Sequence, residues 1–190
     1  MLKQHSFLPT PPRSPTSPKH AAVVIDCEMG INWLHSMDLI QLCVAEFFSG
    51  AILYTSIIKP QQPLLHLNTP YSGVSQEQFD MAVKNNDVLQ SWEEARSALF
   101  QFVDAETVLV GHDLRNDLWH LRTIHGRIVD TSIICKTPSG GRRGLEALAL
   151  EVGGLRIRDR EKGFEEHSVA EDTLAARQVL LRVLTGKALV

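Results

Sequence analysis

Asp26 and Glu28 stand one residue apart at the end of an otherwise apolar, β-branched run, AAVVIDCE. Alternate side chains of a strand share a face, so the two carboxylates point the same way. They repel each other unless a cation lies between them, and hard oxygen donors of this kind suit Mg²⁺ or Mn²⁺. The competing reading is plain: a strand end that reaches solvent can simply carry charge. Asp117 raises the same question on a helix. Leu114, Leu118, Leu121 and Ile124 recur at three- and four-residue steps, and Asp117 falls inside that apolar stripe. Asp113 is placed to cap this helix, and Asn116 points elsewhere. Asp172 repeats the pattern, three residues after Val169, four before Ala176 and seven before Val179. Ser168 to Glu171 reads as a capping box that opens the last helix, with His167 just outside it. A buried carboxylate needs a partner. Structural ion pairs would have to supply a different one at each position, whereas one metal cluster accounts for all four acids. Two divalent ions about 4 Å apart are a recurring arrangement for phosphodiester hydrolysis. His167, with an ordinary pKa of about 6.5, is then the natural acceptor of the water's proton.

Elements with definite periods must hold these side chains. Residues 21–27, 39–48 and 51–59 read as strands, and Ser49-Gly50 between the last two is a hairpin signal. Three strands with no room for a helix between the second and third predict an antiparallel meander. Beyond Pro60, Ser75 to Gln78 and Ser91 to Glu94 fit capping boxes, the second opening a helix through residue 102. A buried strand over 107–111, a helix over 114–125, a strand over 128–135, and helices over 145–152 and 169–184 complete the pattern. The expected fold class is α/β, a mixed sheet flanked by helices.

Composition bounds the function. The chain has 190 residues, 44% hydrophobic and 22% charged, with no apolar run near the roughly 20 residues of a membrane span. The first twenty residues lack the apolar core of a secretory signal, and three cysteines without close spacing argue against a disulfide framework. An intracellular protein, nuclear or cytoplasmic, is expected, with no membrane partner. Five of the nine prolines fall in residues 1–20, mixed with Ser and Thr, which predicts a disordered tail ahead of one domain over 21–190. Its Thr-Pro and Ser-Pro pairs are of the kind that proline-directed phosphorylation uses. The tail carries Lys3, Arg13 and Lys19 and no acid, so subtracting +3 from the net charge of −3 leaves the remainder at −6. Such a domain is a poor generic binder of polyanions and needs bound cations to handle one.

The ordered strings DCEM, SGVS, VGH followed by ND, VDTS and HSVAED resemble the RNA exonuclease branch of the DEDDh 3′-to-5′ exonucleases, over residues 21 to about 184. The resemblance implies a ribonuclease H-like fold whose mixed sheet opens with three antiparallel strands. It implies two divalent ions, Mg²⁺ or Mn²⁺, one held by Asp26, Glu28 and Asp172 and the other by Asp26 with Asp117, and His167 as general base. It also implies single-stranded RNA as substrate, shortened from its 3′ end to nucleoside 5′-monophosphates, with Met29 beside the terminal nucleotide. Members of the branch continue DCEM with Val-Gly; here Gly30-Ile31-Asn32-Trp33 follows. Arg142 and Arg143 are the foremost local candidates for substrate phosphate, ahead of Arg156, Arg158 and Arg160, which acids dilute. A DNA exonuclease with the same site and a non-catalytic binding module are the alternatives. The intact set of five residues argues against the module.

Overall fold

The computed structural model describes residues 7–16, 19–137, 139–157 and 168–186. Its centre is β2 (Ala22–Asn32), a strand whose apolar residues serve both faces. Val23, Ile25 and Cys27 enter one core cluster with Leu99, Val103, Leu114 and Leu118, while Ala22 and Val24 enter a second with Ala175, Ala176 and Leu180. Strands covered on both sides read as continuous hydrophobic runs, which is why this segment lacks alternation until Asp26.

β3 (Met37–Glu46) pairs antiparallel with β2, and β4 (Ile52–Ile58) antiparallel with β3, the meander read from the sequence. Gly50, at φ 76°, makes the turn between them. The short β5 (Leu64–His66) pairs with the far end of β2, and α1 (Thr69–Ser72) and α2 (Gln76–Lys84) lead to β6 (Val88–Leu89), parallel to β4. After α3 (Trp92–Leu99), β7 (Val108–Gly111) lies parallel to β2 on its other side. α4 (Leu114–His120) precedes β8 (Thr123–Ile124), and β9 (Ile128–Asp130) extends the sheet parallel to β7. Short α5 (Thr131–Ile134) and α6 (Leu145–Leu148), a π-helical turn over Ala149–Gly153 and the long α7 (Val169–Thr185) close the described chain. The main sheet runs in the order β6-β4-β3-β2-β7-β9. α7 covers one face of β2, and α3 with α4 cover the other.

Several expectations change. The tail read over residues 1–20 is not free of structure where it is described. Leu8–Pro9 forms β1, parallel to β8, and Ala105 donates its N–H to the Pro11 carbonyl. Proline content disfavours a core but not an edge strand, and exposed apolar side chains around β8 give Leu8 something to pair beside. The helix expected over 114–125 stops at His120, because Arg122 takes a positive φ of 47° and Thr123 then pairs with Leu8. The strand expected over 128–135 ends at Asp130, whose carboxylate accepts the Ser132 N–H and starts α5. Ser75 and Gln78 form the reciprocal capping box expected of them. Ser91 accepts from Glu94, but the Glu94 carboxylate turns to the Gln90 N–H, and Ser168 caps α7 by position without a side-chain bond.

Candidate metal centre

Asp26 and Glu28 continue the row of Ala22 and Val24, so both emerge on the face of β2 that α7 covers. α7 brings Asp172 there in its first turn, directly ahead of Ala175 and Ala176, which bury against the strand. One carboxylate oxygen from each of Asp26, Glu28 and Asp172 lies within 4.8 Å of the others. Asp26 is half-buried, while Glu28 and Asp172 are 8% and 4% exposed. Just past Glu28 the register slips, Glu28 facing Gln41 and Met29 facing Leu39, so β3 carries an extra residue there. Bulges of this kind re-aim side chains beside functional sites. Met29 is half-buried against the cluster that contains Leu114 and Leu118.

Asp117 approaches from the opposite face. α4 packs Leu114, Leu118 and Leu121 against the cluster holding Cys27, and Asp117 in the same stripe is 4% exposed. Its carboxyl is hydrogen-bonded to the Cys27 side chain and main chain, in the residue between Asp26 and Glu28. Burial pushes Asp117 from its ordinary 3.8 up to about 7, against those hydrogen bonds, which favour the charged form. Burial and then the charge of Asp117 hold the Cys27 thiol well above its ordinary value, so Cys27 is a neutral neighbour. The structure thus gathers three of the four expected acids in one group and sets the fourth against the residue between two of them.

The sequence reading passed over two residues beside the start of α4, one of which caps it. Asp130, 5% exposed, accepts from the N–H groups of Asp113, Leu114 and Ser132 at 2.9, 3.1 and 2.9 Å. The expected cap, Asp113, makes no such bond: it sits at φ 57° and its carboxylate pairs with Asn116 and Arg142. The cap comes instead from a residue distant in sequence, which no local rule could find. His112 bonds Thr131 and is close enough to Asp130, Asp113 and Asp172 for their charges to favour its cation, yet burial outweighs them and lowers its pKa. Its place in VGH, ahead of ND, was the available signal. Gly111 is required for close approach, because a Cβ there would stand 2.9 Å from the Ile25 carbonyl oxygen and 2.5 Å from Leu114.

Of the expected phosphate contacts, Arg142 is ion-paired to Asp113 and Arg143 to Glu151, and Arg156 is exposed. His167, Arg158 and Arg160 lie outside the described residues. The carboxylate group fits a hard divalent cation by donor chemistry, since all three groups offer oxygen within 4.8 Å of one another.

A mixed sheet that opens with an antiparallel meander, carries paired acids on its central strand and meets a third on the last helix defines a ribonuclease H-like exonuclease fold. The Saccharomyces cerevisiae Pan2 pseudoubiquitin hydrolase-RNA exonuclease module in complex with AAGGAA RNA shares it, with a TM-score of 0.73 at 18% identity over 90% of this chain and 30% of that one. Two proteins named RNA exonuclease 3, from Candida albicans and Eremothecium gossypii, are 32% and 35% identical over 169 and 161 residues. They match 87% and 83% of this chain, which spans 38% of the length of each. No family model matches the chain. On these likenesses and its ordered motifs, the chain has the fold of the DEDD exonucleases and is similar in sequence to proteins named RNA exonuclease 3.

Proposed function

We propose that this chain is a metal-dependent 3′-to-5′ exoribonuclease that removes nucleoside 5′-monophosphates from single-stranded RNA. The observation that carries the reading is the meeting of Asp26, Glu28 and Asp172, from the central strand and the last helix, within 4.8 Å. The RNA exonuclease relatives support the substrate class. Asp26, Glu28 and Asp172 hold one cation, and the second position beside Asp26 requires the Asp117 carboxyl to give up its hydrogen bonds to Cys27. Bound there, Mg²⁺ or Mn²⁺ supplies the charge that activates the attacking water and stabilises the departing 3′ oxygen. His167 accepts the water's proton, and Met29 lies beside the terminal nucleotide. Each carboxylate is anchored by an element with a buried face, which holds the donors together before a cation arrives.

The test is a time course with 5′-labelled single-stranded RNA and DNA of one sequence, with Mn²⁺ and with EDTA, resolved on a denaturing gel. A ladder of progressively shorter labelled products, only with Mn²⁺ and faster on RNA, is expected. A faster DNA ladder would move the assignment to a DNA exonuclease. Intact strands in every lane would overturn it in favour of a binding module.

A further inference from the structure

The strap over residues 7–11 carries a sequence feature that the proposed function leaves unused. Thr10 is followed by Pro11, Pro12 and Arg13, a hydroxyl residue with proline next and a cation third after it. That order suits a protein kinase whose peptide groove selects proline at the following position. We propose that Thr10 is a phosphorylation site for a proline-directed protein kinase, and that its phosphate releases the strap from the edge formed by β8.

In the docked strap Thr10 is 7% exposed. Its hydroxyl lies 2.6 Å from Nδ1 of His125 and 3.1 Å from the Ile124 carbonyl oxygen. The other ring nitrogen of His125 reaches the Thr107 carbonyl at 2.8 Å, so the imidazole is held from both sides. Asp104, itself buried, is near enough to His125 to act on its charge. Arg127, the cation that also acts on His125, is ion-paired to Glu106. A phosphate at Thr10 would bring about −1.5 to −2 charge into this closed space beside an existing carboxylate. Burying that charge is costly where the cation acting on His125, Arg127, is already paired, and undocking is the way out.

The hydroxyl is reachable because the docking is shallow. β1 has two residues, and the strap is held by three main-chain bonds, Leu8 N–H to Arg122 O and Thr10 N–H to Ile124 O at 3.0 Å and Ala105 N–H to Pro11 O at 2.8 Å, and by Phe7 against Trp119. A two-stranded ribbon is marginal by itself, so the strap opens without global unfolding and the kinase captures the open form. The γ-phosphoryl group of ATP then bonds to Thr10 Oγ1, the bond to the leaving ADP breaks, and the hydroxyl proton passes to the kinase's own base. Phe7, which with Leu114, Leu118, Trp119, Ile128 and Ile133 lines a largely apolar groove of about 320 Å³, leaves with the strap.

The test uses the full chain, incubated with ATP and a proline-directed kinase, with modified residues mapped by mass spectrometry and amide exchange followed before and after. Thr10 should become phosphorylated, and the Leu8 and Thr10 amides should then exchange about tenfold faster or more, the order expected when a buried polar contact is lost. Thr10→Val, treated identically, should keep slow exchange. The idea fails if Thr10 stays unmodified in the folded chain while a peptide of residues 5–16 is phosphorylated there. It fails equally if phosphorylated protein keeps the protection of both amides. Neither readout depends on nuclease activity.

Discussion

Asp117 is the acid whose surroundings differ most from those of the other three, and its consequence is a pH dependence. Burial raises its pKa from 3.8 to about 7 in the folded protein. Folding therefore takes up a proton between these values, and the stabilisation, complete below about 4, is lost as pH rises through about 7. Metal-free protein should melt progressively lower from pH 5 to pH 7.5, with a slope of at most about 1.4 kcal/mol per pH unit. Asp117→Asn should flatten that slope, and thermal melts in EDTA across the range decide it; an unchanged slope would place the titration elsewhere. Asp26→Asn tests the cluster itself. Removing one of three carboxylates within 4.8 Å relieves repulsion and opens no cavity, so hydrolysis should fall by orders of magnitude while the melting temperature in EDTA holds or rises. A lower melting temperature would mark Asp26 as one half of a structural ion pair.

At the scale of elements, the start of α4 depends on β9. The Asp130 carboxylate serves three main-chain N–H groups, two of them at the entrance to the helix that carries Asp117. Asp130→Ala leaves those donors bare in a buried place and should cost about 3 kcal/mol, read as a lower urea midpoint with unchanged slope. Asp130→Asn retains one acceptor oxygen and should recover part of the loss. The same contact explains a limit on reading. Helix periodicity put Asp117 in the buried stripe correctly, because the stripe depends only on residues three and four apart. The cap could not be read locally, because Asp113 and Asp130 are separated by α4 itself, β8 and a turn. Likewise the chain leaves the helix at Arg122 to make β8, which gains its partner from residues 8 and 9.

At the scale of the whole molecule, residues 7–16 are part of the described fold and not merely an appendage. Deleting residues 1–12 removes β1, the stack of Phe7 on Trp119 and the Thr10 to His125 bond, and should lower stability by about 1–3 kcal/mol. Calorimetry of the shortened chain checks this, and an unchanged melting temperature would show the strap to be decoration. The chain's negative charge also has a global consequence. Arg127, Arg142 and Arg143 are paired to carboxylates, and Arg96 and Arg122 stack on Trp92, so under the proposed function these five arginines are already engaged and bound cations would carry the contact to a phosphodiester.

Local sequence patterns decided a large part of this protein. The two-residue period placed Asp26 and Glu28 on one face, the helical period turned Asp117 and Asp172 inward, and short connections forced the antiparallel opening of the sheet. These are consequences of backbone geometry over a few residues, so they are written in the order of side chains. Only the tertiary structure decided which of the inward acids meet. Asp172 shares a face with Asp26 and Glu28, whereas Asp117 comes from the opposite face and rests against Cys27. It also decided that a proline-rich segment docks as a strand and that Asp130 caps a helix it does not belong to. Those outcomes depend on surfaces brought together by packing, between residues whose separation along the chain carries no periodic signal.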